Sequence, residues 1–278
     1  MSEEAADWRA ANRANWDERV AVHLGAPSYD LAPLRAGRGR LHAIEVAELP
    51  PVAGLRILHL QCHFGRDSLT LAQQGAEVVG LDFSHEAIRT ARDLADELGL
   101  AGRARFVEAE LYDAPAAIHE PGSFDLVYVT WGAIYWLPDI RRWAEIVAFF
   151  LKPGGTLYLA EGHPAALVLD DLAPRQGDMP GWLVPYFHRA ALALDDPTDY
   201  ADPSARLVNA RNYSWMHTVG EVVTSIIAAG MELRWLHEHD RVPWQMFQLL
   251  VEDGDGLFRW PEEAWLPLAF SLSAKRRG

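Results

Sequence analysis

The sequence predicts an α/β protein built on a Rossmann-like, doubly wound and mostly parallel sheet of seven strands. Short apolar runs suited to buried strands, at residues 56–60, 77–81, 104–107, 124–129 and 156–160, alternate with segments of helical periodicity, the pattern of consecutive βαβ units. The turn after the first run, QCHFG, is tight and leads straight into a helical segment. The second run ends on Asp82, about 20 residues past that turn, the usual separation between a ligand loop and an acid that binds ribose hydroxyls in the same crevice.

Bulk properties narrow the function. The chain has 278 residues, half of them hydrophobic, enough for one large core or a core with a cap. A net charge of −14 with scattered basic residues opposes a nucleic-acid partner, because phosphate binding needs clustered Lys and Arg. The N-terminal MSEEAADWRAA is acidic and lacks an apolar stretch, so no secretory leader is expected. No uncharged run approaches the roughly 18 residues of a spanning helix, so no membrane association is expected and a cytoplasmic location is. One cysteine, Cys62, excludes an internal disulfide and a cysteine-based zinc site.

Taken in order, residues 3–24 have helix-forming composition, and Trp8, Trp16 and His23 recur near one face. A second helix is expected at residues 41–49, stopped by Pro50 and Pro51. Residues 1–51 read either as packing elements on the domain edge or as a helical lid, with Tyr29 or His23 reaching the ligand. The core, residues 52–161, starts with the first strand, the loop 61–65 and a helix over 66–74 that ends at Gly75. After the second strand Ser84 caps a helix whose Ile88, Ala91, Ala95 and Leu98 follow at helical spacing up to Gly99. The third strand leads to Glu108, Glu110 and Asp113. After the fourth, a helix is expected to start at Pro138 and to bury Ile140, Trp143, Ala144, Val147, Phe150 and Leu151. KPGG at 152–155 reads as a turn into the fifth strand.

Residues 162–216 break the rhythm. They are rich in Pro, Asp and aromatics, with a helix expected only near 188–194, and read as a cap inserted between the fifth strand and the next helix. Residues 217–278 return to the core sheet. Thr218 and Glu221 form a capping box, Val222, Val223, Ile226 and Ile227 a buried stripe, and Gly230 a helix stop. A strand at 231–240, an irregular or hairpin segment at 241–266 and a last strand at 268–274 complete the chain.

The first loop then selects among ribose-bearing ligands. A dinucleotide loop needs three glycines so that the backbone can approach a pyrophosphate, and here only Gly65 is present. Asp67 adds negative charge in the first helical turn, and no GK[ST] sequence occurs, which disfavours NAD, FAD and nucleoside triphosphates. A cationic, phosphate-free nucleoside suits this loop better, and S-adenosylmethionine (SAM) has that chemistry.

The stretches ILHLQCHFG, VVGLDFS, ARFVEAELYDAP, FDLVYVTWGAIYWL and LKPGGTLYLAEGHP resemble the successive motifs of the class I SAM-dependent methyltransferases, over residues 52–165. NRANWDERV and YSWMHTVGEVV resemble a bacterial small-molecule subgroup of that family. The family's first motif is acid-x-Gly-x-Gly-x-Gly, and this chain carries His59, Gln61, His63 and Gly65 at those positions. The resemblance implies that Gln61 and Gly65 line the methionine end, Asp82 and Phe83 bracket ribose and adenine, Glu110 and Leu111 hold the adenine edge, and Thr130 and Trp131 lie beside the sulfonium. The implied product is S-adenosylhomocysteine (SAH).

Methyl transfer from a sulfonium is an in-line displacement in which positioning does most of the work, and a base assists an oxygen or nitrogen acceptor that carries a proton. The candidate bases are His163, His217 and Glu161; for each histidine the plain alternative is a hydrogen-bonded structural imidazole. Tyr29, Tyr135, Trp136, Tyr186 and Trp215 are candidates for an acceptor pocket, with ordinary packing as the alternative. No metal is expected. The leading expectation is methyl transfer to O or N of a small molecule, of the kind found in specialised metabolism. Carbon methylation, a methyltransferase-like enzyme catalysing a rearrangement, and a SAM-binding protein without turnover stay open, as does the oligomeric state, with a homodimer among the choices.

Overall fold

A computed structural model describes residues 8–171, 173–175 and 177–278. Helix α1 spans Trp8–Gly25; the expected start at residue 3 lies outside the described residues. It buries Trp8, Asn12, Asn15, Arg19, Val20 and His23, one face at helical spacing. Four of those six are polar, so this face docks against groups that hydrogen-bond rather than against an apolar core. A short 3₁₀ turn, Pro27–Tyr29, precedes α2 (Ala32–Arg35) and α3 (Ala43–Glu48).

The sheet then builds as the alternation predicts. Strand β1 is Arg56–Leu60, followed by α4 (Arg66–Gln73), β2 (Glu77–Asp82) and α5 (His85–Glu97). The Ser84 hydroxyl accepts the Ala87 N–H and caps α5 as expected. Next come β3 (Ala104–Glu108), α6 (Ala114–Ile118), β4 (Phe124–Thr130), α7 (Ile140–Phe150) and β5 (Leu151–Gly162). Helix α7 does not start at Pro138. The Asp139 carboxylate accepts the N–H groups of Arg141 and Arg142, and an acidic N-cap sets the start two residues later. The KPGG segment lies within β5 as an irregularity, where pairing with β4 jumps from Phe124↔Leu151 to Leu126↔Thr156.

The inserted segment folds as two hairpins, β6 (Leu169–Asp170) with β7 (Gly181–Trp182), and β8 (Leu192–Asp195) with β9 (Arg211–Ser214). The helix expected near 188–194 is therefore absent: Leu192-Ala193-Leu194-Asp195 alternates with period two and pairs as a strand. Helix α8, Val219–Ala228, has Thr218 accepting the Glu221 N–H, but the Glu221 carboxylate pairs with Arg189 instead of closing the box. Its stripe is narrower than expected: Val222 and Ile226 are fully buried, whereas Ile227 is half exposed. Strand β10 is Met231–His239; β11 (Arg241–Val242), β12 (Val251–Glu252) and β13 (Phe258–Arg259) form a small sheet of their own; β14 is Ala269–Arg276.

The main sheet has the order β10-β14-β5-β4-β1-β2-β3. β14 runs antiparallel to β10 and β5, and the other pairings are parallel. Strand order reverses between β1 and β4, so the carboxyl ends of β1, β2 and β4 open onto one crevice. One apolar cluster on the sheet holds α7 and α8, and another holds α4, α5 and the N-terminal Leu31, Leu34 and Leu41. A third joins Val168, Leu169, Val184 and Met216 of the insertion to Val242, Phe247, Leu250 and Trp260. The cap's interior thus draws on residues beyond 216, which the sequence reading gave to the core sheet. No helix among the described residues is long and apolar enough to cross a membrane.

Candidate active site

The loop after β1 carries the first surprise. Gln61 (φ 56°), His63 (φ 51°) and Gly65 (φ 78°) are all left-handed, the three positions where the resembling family places glycine. Left-handed backbone costs a residue with a Cβ about 1–2 kcal/mol, so Gln61 and His63 must be held by their surroundings. They are. The Gln61 Nε2 donates to the Ala133 carbonyl at 2.7 Å, and the His63 N–H donates to Asp82 Oδ2 at 2.8 Å. Gly65 has no room for a side chain, since a Cβ there would meet the Phe106 ring at 2.7 Å. His59, at the motif's acid position, is buried; burial pushes its imidazole down to about 4, and Nδ1 meets the Ser68 hydroxyl at 2.8 Å.

Asp82 ends β2 directly across from this loop. Its two carboxylate oxygens each accept one backbone N–H, from His63 and from Ser84, leaving a lone pair on each. Burial pushes its carboxyl up to about 6 against those bonds. Phe83 is half-buried next to it. Glu110, beyond β3, accepts the Tyr112 N–H at 3.0 Å and meets Arg9 of α1 at 3.2 Å, with Leu111 buried behind it. Helix α1 crosses above this row: Asp17 accepts from the Ser84 hydroxyl and, at 3.3 Å, from the Glu86 N–H.

The residues fit a cationic nucleoside. Gln61 Oε1 is a buried acceptor with no partner among the described residues, suited to the ammonium of a methionine tail. The Asp82 carboxylate has the capacity for two ribose hydroxyls, and Glu110 lies just past the end of the next strand for an adenine edge. No described group of three His, Cys, Asp or Glu residues is placed to hold a metal ion.

At the end of β4, Thr130 is buried and Trp131 is also left-handed (φ 53°). Glu161 explains how that turn is held. Its Oε2 accepts the N–H of Ala133 at 2.7 Å and of Ile134 at 3.0 Å, and its Oε1 accepts from Gly132 and, at 3.1 Å, from Gly162. A carboxylate spending both oxygens on four backbone donors is an anchor for residues 131–134, not a free base; burial still pushes it up to about 7. His163 Nδ1 accepts the Ala165 N–H at 3.0 Å, and its Nε2, without a hydrogen-bond partner among the described residues, lies 3.1 Å from Glu238 on β10. His217 spends Nε2 on the Leu137 carbonyl at 2.7 Å, which ties α8 to the segment after β4. Each of the three bases expected from sequence therefore has contacts set by packing that sequence spacing does not reveal.

The expected aromatic wall divides. Trp136 packs edge-on against Trp16 at 5.3 Å, and Tyr29 stacks on His23 at 4.5 Å and bonds the Tyr200 hydroxyl at 2.6 Å. Tyr135 gives its hydroxyl to the Gly162 carbonyl and lies close to Tyr186. Trp215 instead packs edge-on against Trp8 at 5.3 Å and serves the contact of α1 with the cap. That contact is extensive. Asn12 exchanges two hydrogen bonds with the Tyr213 backbone, at 2.8 and 2.7 Å; Asn15 donates to the Asn209 carbonyl; Glu18 accepts from the Val208 and Asn209 N–H groups. The polar face of α1 is therefore the surface that the cap clasps.

Two groups were missed from sequence. One is a chain linking Asp199, His23 and His63, treated below. The other is Glu45 of α3, fully buried, with Oε1 on the Tyr128 hydroxyl at 2.7 Å and Oε2 without a hydrogen-bond partner beside the Trp131 indole; burial pushes it up to about 8. Helical spacing in residues 41–49 could have flagged an acid on the inward face.

Residues 57–155 match the family model described as a methyltransferase domain. A ubiquinone biosynthesis O-methyltransferase of Ralstonia nicotianae is 31% identical over 137 residues, 49% of this chain and 52% of that protein. A demethylmenaquinone methyltransferase of Clavibacter sepedonicus is 36% identical over 113 residues, 40% of this chain and 42% of that protein. The chain spans about half the length of these relatives. Among solved structures, an S-adenosylmethionine dependent methyltransferase from Mesorhizobium loti superposes with a TM-score of 0.59 at 24% identity, covering 84% of this chain and 96% of that one. The 4+2 cyclase SpnF superposes with a TM-score of 0.54 at 18% identity, over 90% and 83%. These two are likenesses of fold.

Proposed function

Because residues 57–155 match a model described as a methyltransferase domain, we propose that the protein is a SAM-dependent methyltransferase of class I that transfers the methyl group to an oxygen or nitrogen of a small molecule in the cytoplasm. The observation that carries this is the backbone of the loop after β1. Gln61, His63 and Gly65 keep the left-handed conformation at all three glycine positions of the family's motif, so the departures in residue type leave the loop's shape in place. A loop of that shape opposite Asp82 suits a ribose with a cationic tail and gives a pyrophosphate no three-glycine approach.

SAM, when bound, supplies a methyl group on an already activated sulfonium leaving group. The chain's residues do the rest. Gln61 receives the ammonium, Asp82 receives ribose hydroxyls, Glu110 and Leu111 border the adenine, and Phe83 covers it. Glu161 fixes the turn that carries Trp131 next to the reacting centre. Helix α1 and the cap, clasped together, exclude water from the crevice, which strengthens each polar contact inside it. The O-methyltransferase names of the relatives support oxygen over carbon, and the aromatic residues Tyr29, Tyr135, Trp136 and Tyr186 support a small, partly apolar acceptor. The test is calorimetric titration with SAM followed by detection of SAH over a panel of phenols, catechols and amines. Binding with turnover supports the proposal; no binding of SAM refutes it.

A further inference from the structure

Three titratable side chains from three separate elements form a continuous hydrogen-bonded chain that ends on the loop after β1. Asp199 of the cap is buried; its Oδ1 accepts the Ala201 N–H at 2.7 Å, and its Oδ2 takes Arg19 at 2.7 Å and His23 Nε2 at 3.2 Å. His23 of α1, fully buried, meets His63 Nε2 through its own Nδ1 at 2.8 Å. His63 stands on the loop that holds the methionine end of the cofactor, at a position where the fold needs no side chain. We infer that His63 is the general base of the transfer and that Asp199 and His23 set it in the tautomer that presents a bare nitrogen to the acceptor; this rests on the methyl-transfer reading above.

The donor and acceptor roles along the chain follow from one end. Against the effect of burial, the hydrogen bond from His23 and then the paired Arg19 hold the Asp199 carboxyl below the usual range, so it only accepts. His23 Nε2 must then carry the proton it donates to Asp199. In a neutral ring that leaves His23 Nδ1 as an acceptor, and the proton between the two histidines belongs to His63 Nε2. His63 Nδ1 is left with a lone pair and has no partner among the described residues. Burial, with Arg19 and Arg66 assisting and Asp199 opposing, pushes His63 well below the usual imidazole value, so that lone pair is present throughout the neutral range. Tyr29 and Tyr200 also face His23, with hydroxyls held well above neutrality, and Asp82 faces His63 only through its backbone N–H.

The ring is also in the right company. His63 packs edge-on against Trp16 at 5.4 Å, and Trp16 against Trp136, one of the candidate acceptor-pocket aromatics, at 5.3 Å. In the transfer, the acceptor heteroatom bonds to the methyl carbon, the carbon–sulfur bond breaks with its electrons going to sulfur, and the heteroatom's proton goes to His63 Nδ1. The imidazolium so formed is compensated by the Asp199 carboxylate through His23, the role an aspartate plays behind a catalytic histidine. The acceptor class that needs this device is a hydroxyl, a phenol or a neutral amine, whose heteroatom has a lone pair for the methyl carbon and a proton to lose.

The test begins with long-range ¹H–¹⁵N correlation spectra of the full chain labelled in histidine, with and without SAH, assigned from His23→Gln and His63→Gln proteins. The hydrogen-bond directions predict both rings protonated at Nε2 and bare at Nδ1. A His63 ring protonated at Nδ1, or a His63 imidazolium, overturns the inference. With an acceptor from the phenol, catechol and amine panel, His63→Gln is expected to lower kcat by about 10²–10⁴-fold and to leave the Kd for SAH within about threefold. Full turnover by His63→Gln overturns the base assignment and leaves the methyl-transfer reading standing. Absence of SAH binding by the wild type sinks that reading instead. The tautomers decide the inference even where the panel lacks the acceptor.

Discussion

Replacing Glu161 by Gln separates an anchor from a base. The carboxylate receives four backbone N–H groups, two on each oxygen, and is fully buried. Glutamine keeps one oxygen and puts an NH₂ group where the other stood, so two donors lose their acceptor and face another donor. A buried donor stranded in this way costs roughly 1–3 kcal/mol, which puts the variant about 2–6 kcal/mol below the wild type. At roughly 2–4 °C per kcal/mol for a chain of this order of size, that is a drop in Tm on the order of 10 °C. Urea unfolding with an unchanged slope, together with a thermal melt at pH 7, measures it. A Glu161→Gln protein as stable as the wild type but without turnover would refute the anchor and restore the carboxylate as a base.

Two further substitutions probe the surroundings. Burial raises Glu45 from the ordinary 4.5 to about 8, so its stabilising contribution is fully present below about pH 4.5 and is lost as pH rises through about 8. Asp82 and Glu161, raised to about 6 and about 7, add to this fall only up to their own values, so the part of the fall between about pH 7 and 8 belongs to Glu45, and the curve levels off above that. Glu45→Gln keeps an oxygen for the Tyr128 hydroxyl and should flatten that part of the curve; parallel curves for the two proteins would contradict the assignment. Asn12→Ala removes both hydrogen bonds to the Tyr213 backbone and should loosen α1 from the cap, at about 1–3 kcal/mol. Stopped-flow tryptophan fluorescence should then show SAH leaving several-fold faster, and an unchanged release rate would argue against a lid.

The positions of the residues expected to hold the cofactor were legible because a parallel sheet carries them. Alternating strands and helices place Gln61, Asp82, Glu110 and Thr130 at one edge whatever the loops do, and Ser84 caps its helix by purely local bonding. The acceptor half was not. His163 and Glu161 follow β5 as expected, but what their side chains touch is decided by β10 and by the turn after β4, which no local pattern specifies. His23 and Asp199 lie 176 residues apart and meet only because the cap folds back over α1. Two signs were in the sequence. Asn12, Asn15, Arg19 and His23 share one face of a helix and call for a polar partner. His63 puts a side chain where the loop's shape asks for none. The helix expected near 188–194 failed for a related reason, since a period-two run found a strand partner in Arg211–Ser214.

The central claim is that SAM lies across the loop after β1 with its ribose on Asp82. Calorimetric titration of SAH into the wild type and into Asp82→Ala, with folding checked by circular dichroism, tests it most directly. The wild type should bind one equivalent, and the variant should bind at least tenfold more weakly, since hydrogen bonds to a charged carboxylate contribute about 1.5–3 kcal/mol each. Equal affinities in two folded proteins, or no heat with either, would contradict the account.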